Sequence, residues 1–147
     1  MILRTALLAA AVAALPAAAR AQACTVRGVT GVAFGAYDPI GANAAAPRDS
    51  TGQVQYRCRR VAPLVTLSAG AAGSFQPRQL RQGAQGLGYN LYRDAARSQV
   101  WGDGTGGTFT VLGQRGNRTL VIYGRIFPGQ PVPAGTYADT VVATLNF

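Results

Sequence analysis

Short apolar stretches punctuated by glycine-rich turns run along the chain from Thr25 to its last residue. Gln53-Val54-Gln55-Tyr56-Arg57-Cys58 alternates polar and apolar side chains, which places Val54, Tyr56 and Cys58 on one inner face. Leu120, Ile122 and Gly124 oppose Val121, Tyr123 and Arg125 in the same way. In the final run, Thr140 to Phe147, Val141, Ala143, Leu145 and Phe147 share a face. A period of two marks a strand buried on one side. The pattern predicts strands near Thr25–Phe34, Gln53–Arg59, Leu64–Ser68, Leu87–Arg93, Thr108–Leu112, Thr119–Ile126 and Tyr137–Phe147. Turn signals lie between them: Asp38-Pro39, Asp49-Ser50-Thr51-Gly52, Gly102-Asp103-Gly104, Gly116-Asn117 and Pro128-Gly129. No helical periodicity is sustained beyond the N-terminal segment. About seven short strands with regular turns predict an all-β, two-sheet sandwich. Gly41 to Pro47 reads as a small-residue loop, and no repeat or linker divides the chain.

The first residues follow a different rule. Arg4 precedes an apolar run from Ala6 to Leu15, Pro16 breaks it, and Ala19-Arg20-Ala21 or Ala21-Gln22-Ala23 offers a small-x-small cleavage site. This is the pattern of a secretory signal peptide over residues 1–21, with cleavage after 21 or 23, and the run is too short for a membrane span. Residues 22–147 then form one exported domain with room for a real core. Cys24 near the cleavage point raises a lipid anchor, but the large aliphatic residue expected three positions earlier is missing. Both cysteines, Cys24 and Cys58, stay in the exported part. An even count in an oxidising compartment suggests a disulfide, with two buried free thiols as the alternative. A bridge would close a loop of roughly 35 residues, worth about 4 kcal/mol by chain entropy.

Composition narrows the chemistry. Every cation is arginine and every anion aspartate. Without the segment that holds Arg4 and Arg20, twelve arginines face five aspartates, a net charge of +7. Only Arg57, Arg59 and Arg60 cluster in sequence, and no nucleic-acid motif accompanies them, so the charge reads as a solvated basic surface. The absence of histidine removes Ser-His and Cys-His nucleophile pairs and imidazole zinc ligands. The aspartates read as turn residues rather than a glycosidase pair. Gly102-Asp103-Gly104-Thr105-Gly106-Gly107 matches G-x-G-x-x-G, but it leads into a strand pattern and not the helix a dinucleotide site needs. A calcium site at Asp103 would need more carboxylates than this chain carries. Asn117-Arg118-Thr119 forms a glycosylation sequon of little weight, and Trp101, Tyr89 and Tyr92 read as core before they read as sugar platforms. No enzyme, metal or cofactor is expected.

The last strand points elsewhere. It ends on an apolar aromatic, Phe147, and nothing after it supplies a second neighbour. If no earlier strand fills that place, another chain must do so by strand addition. The chain also resembles the spore coat protein U domain family, whose members are similar to archaic, Csu-type chaperone–usher pilins. The residues that carry the resemblance include Phe34-Gly35-Ala36-Tyr37-Asp38-Pro39, Gly52-Gln53-Val54 before Cys58, and Leu67-Ser68-Ala69-Gly70. Tyr89-Asn90-Leu91-Tyr92, Val100-Trp101-Gly102-Asp103-Gly104-Thr105, Tyr123-Gly124-Arg125-Ile126, Pro128-Gly129-Gln130 and Pro133-Ala134-Gly135-Thr136-Tyr137 with Asp139 continue it in order. The resemblance implies an incomplete immunoglobulin-like sandwich and assigns a Cys24–Cys58 disulfide. It further implies a periplasmic pilus chaperone, an outer-membrane usher and neighbouring pilin subunits as partners, with the last strand flanking the acceptor groove.

The reading is a structural subunit of a surface fibre or coat, joined by donor-strand complementation and serving adhesion or biofilm formation. It would pass through the periplasm to the cell surface or be secreted. Val141, Ala143, Leu145 and Phe147 are the expected groove residues. Only Gln22 and Ala23 at most would precede Cys24 after cleavage, too few for a donor strand. A terminal or minor subunit is therefore expected. The alternative is a self-contained secreted immunoglobulin-like module that binds polysaccharide or surfaces.

Overall fold

The computed structural model describes residues 23–147. The expected signal peptide, residues 1–21, and the candidate cleavage point after Ala21 lie outside the described residues, whereas Ala23, the other candidate, is the first residue described. Eight strands follow in order: β1 Cys24–Thr30, β2 Arg48–Cys58, β3 Leu64–Leu67, β4 Arg78–Gln82, β5 Gln85–Tyr92, β6 Val111–Leu112, β7 Gly116–Ile126 and β8 Ala143–Asn146. They form a five-stranded sheet, β1-β2-β7-β5-β4, and a three-stranded sheet, β6-β3-β8. All strand pairs are antiparallel. Among the described residues no helix is long and apolar enough to cross a membrane.

The long β2–β7 ladder organises the larger sheet. It runs without interruption from Arg48 opposite Ile126 to Cys58 opposite Gly116. Asp49-Ser50-Thr51-Gly52 and Gly116-Asn117, expected as turns, are therefore strand residues. Eleven consecutive pairs outweigh the local preference of these six turn-forming residues, because strand propensity mostly reflects packing against neighbours. β4 is the strand that the pattern missed. Arg78-Gln79-Leu80-Arg81-Gln82 carries little apolar periodicity, and it is an edge strand joined to β5 through Gly83-Ala84.

The final segment, expected as one strand over Tyr137–Phe147, changes sheet midway. Ala138 exchanges both backbone hydrogen bonds with Arg81 of the large sheet. Four residues later Val142 accepts from Ser68 N–H and donates to Ser68 Oγ, beside the small sheet. The chain crosses the sandwich at Asp139, so only Ala143–Asn146 pairs regularly with β3. Expected strand Thr108–Leu112 is shortened in the same way to Val111–Leu112, with Phe109 tied by a single bridge to Trp101.

Between the sheets lies one main core, built on Val54, Val65, Leu67, Leu87, Tyr89, Leu91, Trp101, Ile122 and Ile126. Trp101 is 1% exposed and its indole N–H donates to Val65 O at 3.0 Å. A satellite cluster holds Cys24, Tyr56 and Cys58. The two cysteines face each other across β1 and β2 and are joined by a disulfide. The glycine-rich 102–107 loop closes on itself, with Asp103 accepting from Thr105 N–H and Oγ1, and it leads to β6 rather than to a helix.

Candidate functional site: an apolar groove between two open strand edges

Among the described residues neither β1 nor β8 has a strand on its outer side. Between them the sandwich is open, and a groove of about 390 Å³ enters the core. β1 and the segment that follows it, through Val32 and Phe34, form one wall. Thr140 to Leu145 form the other, over a floor that includes Val54, Leu91 and Ile122. A wider cleft of about 760 Å³ adjoins it and shares Val32, Phe34, Leu80 and Asp139.

The wall along β1 is apolar and uncovered. Val26 is 52% exposed and Val29 63%, yet both line the groove. Three residues apart, they would point to opposite faces of a regular strand. The register shift between Val26 and Gly28, a bulge at Arg27, turns them to the same side. Period-two reading cannot see this. The only trace in the sequence is the three-residue spacing of Val26, Val29 and Val32.

The opposite wall carries three of the four expected residues. Val141, Ala143 and Leu145 line the groove and pack half-buried against the core, while Val142, Thr144 and Asn146 face outward. Phe147 does not join them. It lies past the end of β8, is 61% exposed and is absent from the groove lining. The last pairing is Leu64 with Asn146, and the residue before Leu64 is Pro63, which has no N–H to extend the ladder. Phe147, expected as the fourth groove residue, thus lies outside this lining.

One charged side chain reaches the deep groove. Asp139 Oδ2 accepts from Tyr89 Oη at 2.6 Å, and Oδ1 accepts from Ala71 and Thr140 N–H, each at 2.8 Å. Burial, then the bond to Asp139, pushes the Tyr89 phenol well above the usual tyrosine range. It stays protonated and acts as a fixed donor. The carboxylate is thus saturated by the protein and holds the chain at the point where it crosses between sheets.

The other aspartates are equally committed. Asp38 accepts from Ile40 and Gly41 N–H, and Asp94 from Ser98 and Gln99 N–H. Asp49, expected in a turn, sits in β2 and forms a bidentate pair with Arg125 at 2.7 and 2.8 Å. Among the described residues no group of three or more histidine, cysteine, aspartate or glutamate side chains is placed to hold a metal. The surface chemistry of the groove is strand-shaped: alternating apolar pockets beside unpaired backbone donors and acceptors.

A two-sheet immunoglobulin-type sandwich with one disulfide and free edges beside an apolar groove is the pilin-like architecture. The family description of the Spore Coat Protein U domain matches residues 8–144. Protein U of Myxococcus xanthus is 38% identical over 125 residues, covering 78% of this chain and 70% of that protein. The chain belongs to the Spore Coat Protein U domain family. Among solved structures, a similar fold occurs in the CsuC–CsuE chaperone–tip adhesion subunit pre-assembly complex from the archaic chaperone–usher Csu pili of Acinetobacter baumannii. The TM-score is 0.55 at 21% identity, over 84% of this chain. The match spans 39% of the other chain, so the likeness concerns the fold of one part of it.

Proposed function

We propose that this protein is a structural subunit of a chaperone–usher surface fibre, completed by a strand from another chain. The observation that carries the reading is the open groove: exposed Val26 and Val29 face Val141, Ala143 and Leu145 across an unfilled apolar slot. A donor strand laid there would pair its backbone with a free edge and fill the slot with alternate side chains. A periplasmic chaperone supplies that strand first, an outer-membrane usher exchanges it, and a neighbouring subunit supplies it in the fibre. That the similar fold occurs in a chaperone–subunit pre-assembly complex supports the first of these steps. The protein would then act at the cell surface, in attachment or biofilm formation.

The test is co-expression of the chain with its chaperone in an oxidising periplasm, followed by size-exclusion chromatography. The wild-type chain should aggregate alone and elute as a one-to-one complex with chaperone. Leu145→Arg should abolish capture, because it places a charge in the groove. Val142→Arg, on the outward face, should leave it intact. A soluble, cooperatively melting monomer without chaperone would instead support the self-contained binding module. Mass spectrometry of the mature N-terminus bears on position in the fibre: fewer than about five residues before Cys24 leaves too little for a donor strand, the mark of a terminal or minor subunit.

A further inference from the structure

The arginines that lie scattered in the sequence are gathered by the fold. Arg57 precedes Cys58 at the end of β2, and Arg59 and Arg60 follow it, with Arg59 N–H bonded to Ala23 O. Cys58 faces Gly116, which brings Arg115 and Arg118 to the same end of the sheet. Arg118 Nε donates to Arg115 O at 3.1 Å. Arg27 stands at the β1 bulge next to them. All six side chains are exposed. Among the described residues the ion pairs, Asp49 with Arg97 and Arg125, involve none of the six.

The aspartates lie elsewhere. Asp49 is nine residues along β2 from Cys58, about 30 Å at strand spacing. Asp94 sits beside Arg97, which reaches Asp49. Asp38 belongs to the turn whose Asn43 O accepts from Gly129, past the far end of β7. Asp139 bonds Tyr89, which pairs with Ile126. Asp103 follows Gly102, bonded to Leu67 at the end of β3 away from Leu64. The described side chains sum to +7, of which the disulfide end holds +6 and the rest of the molecule +1. The far half is not acidic, so a second copy gains nothing from docking head to tail.

Within the basic end is a cleft of about 510 Å³ lined by Arg27, Gln55, Tyr56, Asn117, Arg118 and Thr119. Gln55, Asn117 and Thr119 offer amides and a hydroxyl, which match the donor and acceptor pattern of sugar hydroxyls. Flanking guanidinium groups match carboxylate or sulfate in two-point fashion. Single-stranded nucleic acid is held by stacking on exposed rings. Tyr56, the aromatic of this cleft, is 1% exposed and its hydroxyl is engaged with Gln114. We infer that the disulfide end is a binding surface for an acidic polysaccharide, with an acidic sugar seated in the cleft between Arg27 and Arg118. The cleft shares no lining residue with the apolar groove, although its Arg27 lies on β1 between the groove residues Val26 and Val29.

Polygalacturonate serves as the polyuronate probe, with neutral dextran and oligothymidylate beside it. Binding is measured on the full exported chain in its soluble form, free or chaperone-bound. Arg27→Gln with Arg118→Gln removes two charges from the cleft. Arg81→Asp, at an exposed position of β4 on the sheet's far edge, lowers the charge by two and is the charge-matched control. Wild type should bind polygalacturonate but not dextran, and binding should weaken with added salt. The cleft pair should weaken it by about tenfold, a loss of about 1.4 kcal/mol, and the control by less than about twofold. Equal losses in both variants, no binding at low salt, dextran binding of equal strength, or tighter binding of oligothymidylate each overturn the assignment. If the cleft pair fails to melt like wild type, Arg57→Gln with Arg60→Gln repeats the test on loop and outer-face positions.

Discussion

Arg78 is the buried charge of the described core, with no exposed surface. Its Nε and Nη2 both donate to Ser68 O, at 3.0 and 2.8 Å, Nη2 also to Trp101 O at 2.7 Å, and Nη1 to Asn90 Oδ1 at 2.8 Å. The guanidinium also lies 5.1 Å from the Phe75 ring centroid. Burial draws its pKa below the usual arginine value, with Tyr89 and Asp139 opposing, yet arginine stays charged at neutral pH. The side chain ties edge strand β4 to the end of β3 and to the Trp101 loop, which together hold the two sheets in place. Arg78→Met leaves the Ser68 and Trp101 carbonyls without this donor. The expected loss is about 3 kcal/mol, since each unsatisfied buried group costs roughly 1–3 kcal/mol. The shift in denaturant midpoint, measured on the chaperone-bound or strand-completed protein, checks it.

At the scale of elements, the groove depends on how the chain leaves β1. After Thr30 it crosses the inner face of the large sheet, where Val32 and Phe34 meet β2 and β7. That approach is possible only over glycine. A Cβ on Gly52 would lie 2.6 Å from Thr30 O, and one on Gly124 would lie 2.8 Å from the Phe34 ring. Phe34 then stacks edge-on against Tyr89, with ring centroids 5.9 Å apart. Gly52→Ala should therefore displace a backbone wall of the groove. A loss of about 1–3 kcal/mol, as for other overpacked cores, is expected together with weaker chaperone capture. Gly31→Ala, whose Cβ would meet nothing within 4 Å, is the matched control for stability and should leave it unchanged. The disulfide acts on the same wall, pinning the start of β1 to the end of β2 across a sequence separation of 34.

For the molecule as a whole, carboxylates set the response to acid. Asp49 is held below its ordinary pKa of 3.8, first by its hydrogen bond from Arg125 and then by the Arg125 and Arg97 charges. Asp38 is lowered by the N–H groups of Gly41 and Ile40, and Asp103 by the side chain and N–H of Thr105. A folded-state pKa below the unfolded one stabilises the fold above the unfolded value. That contribution disappears as pH falls through the folded value. With no histidine in the chain, no side chain of ordinary pKa titrates between pH 5 and 8. The melting temperature should be level across that range and fall below about pH 4. Asp49→Asn should make the acid limb shallower, as followed by circular dichroism at a fixed form of the protein.

Much of this architecture is written in local patterns. The faces of Val54, Tyr56 and Cys58, and of Leu120, Ile122 and Gly124, follow from alternation alone, because successive strand side chains must point to opposite sides. So do the groove-facing positions Val141, Ala143 and Leu145. The family resemblance also rests on ordered short motifs visible in the chain. Other features depend on what each segment meets. Asp49 to Gly52 carry turn-forming side chains yet pair with β7, since the partner strand decides. β4 is polar because it lies at an edge, and Arg78 is buried only because Ser68, Asn90 and Trp101 converge on it from distant positions. Phe147 leaves the groove because Pro63, far away in sequence, ends the ladder. Val26 and Val29 reach the groove through a bulge that no periodicity encodes. Arginines spread from position 27 to 118 form one basic end only when β1, β2 and β7 align their termini. Side-chain alternation is a property of a single strand and can be read from one; register, bulges and the gathering of charge are properties of pairs of strands, and they exist only once the chain has folded.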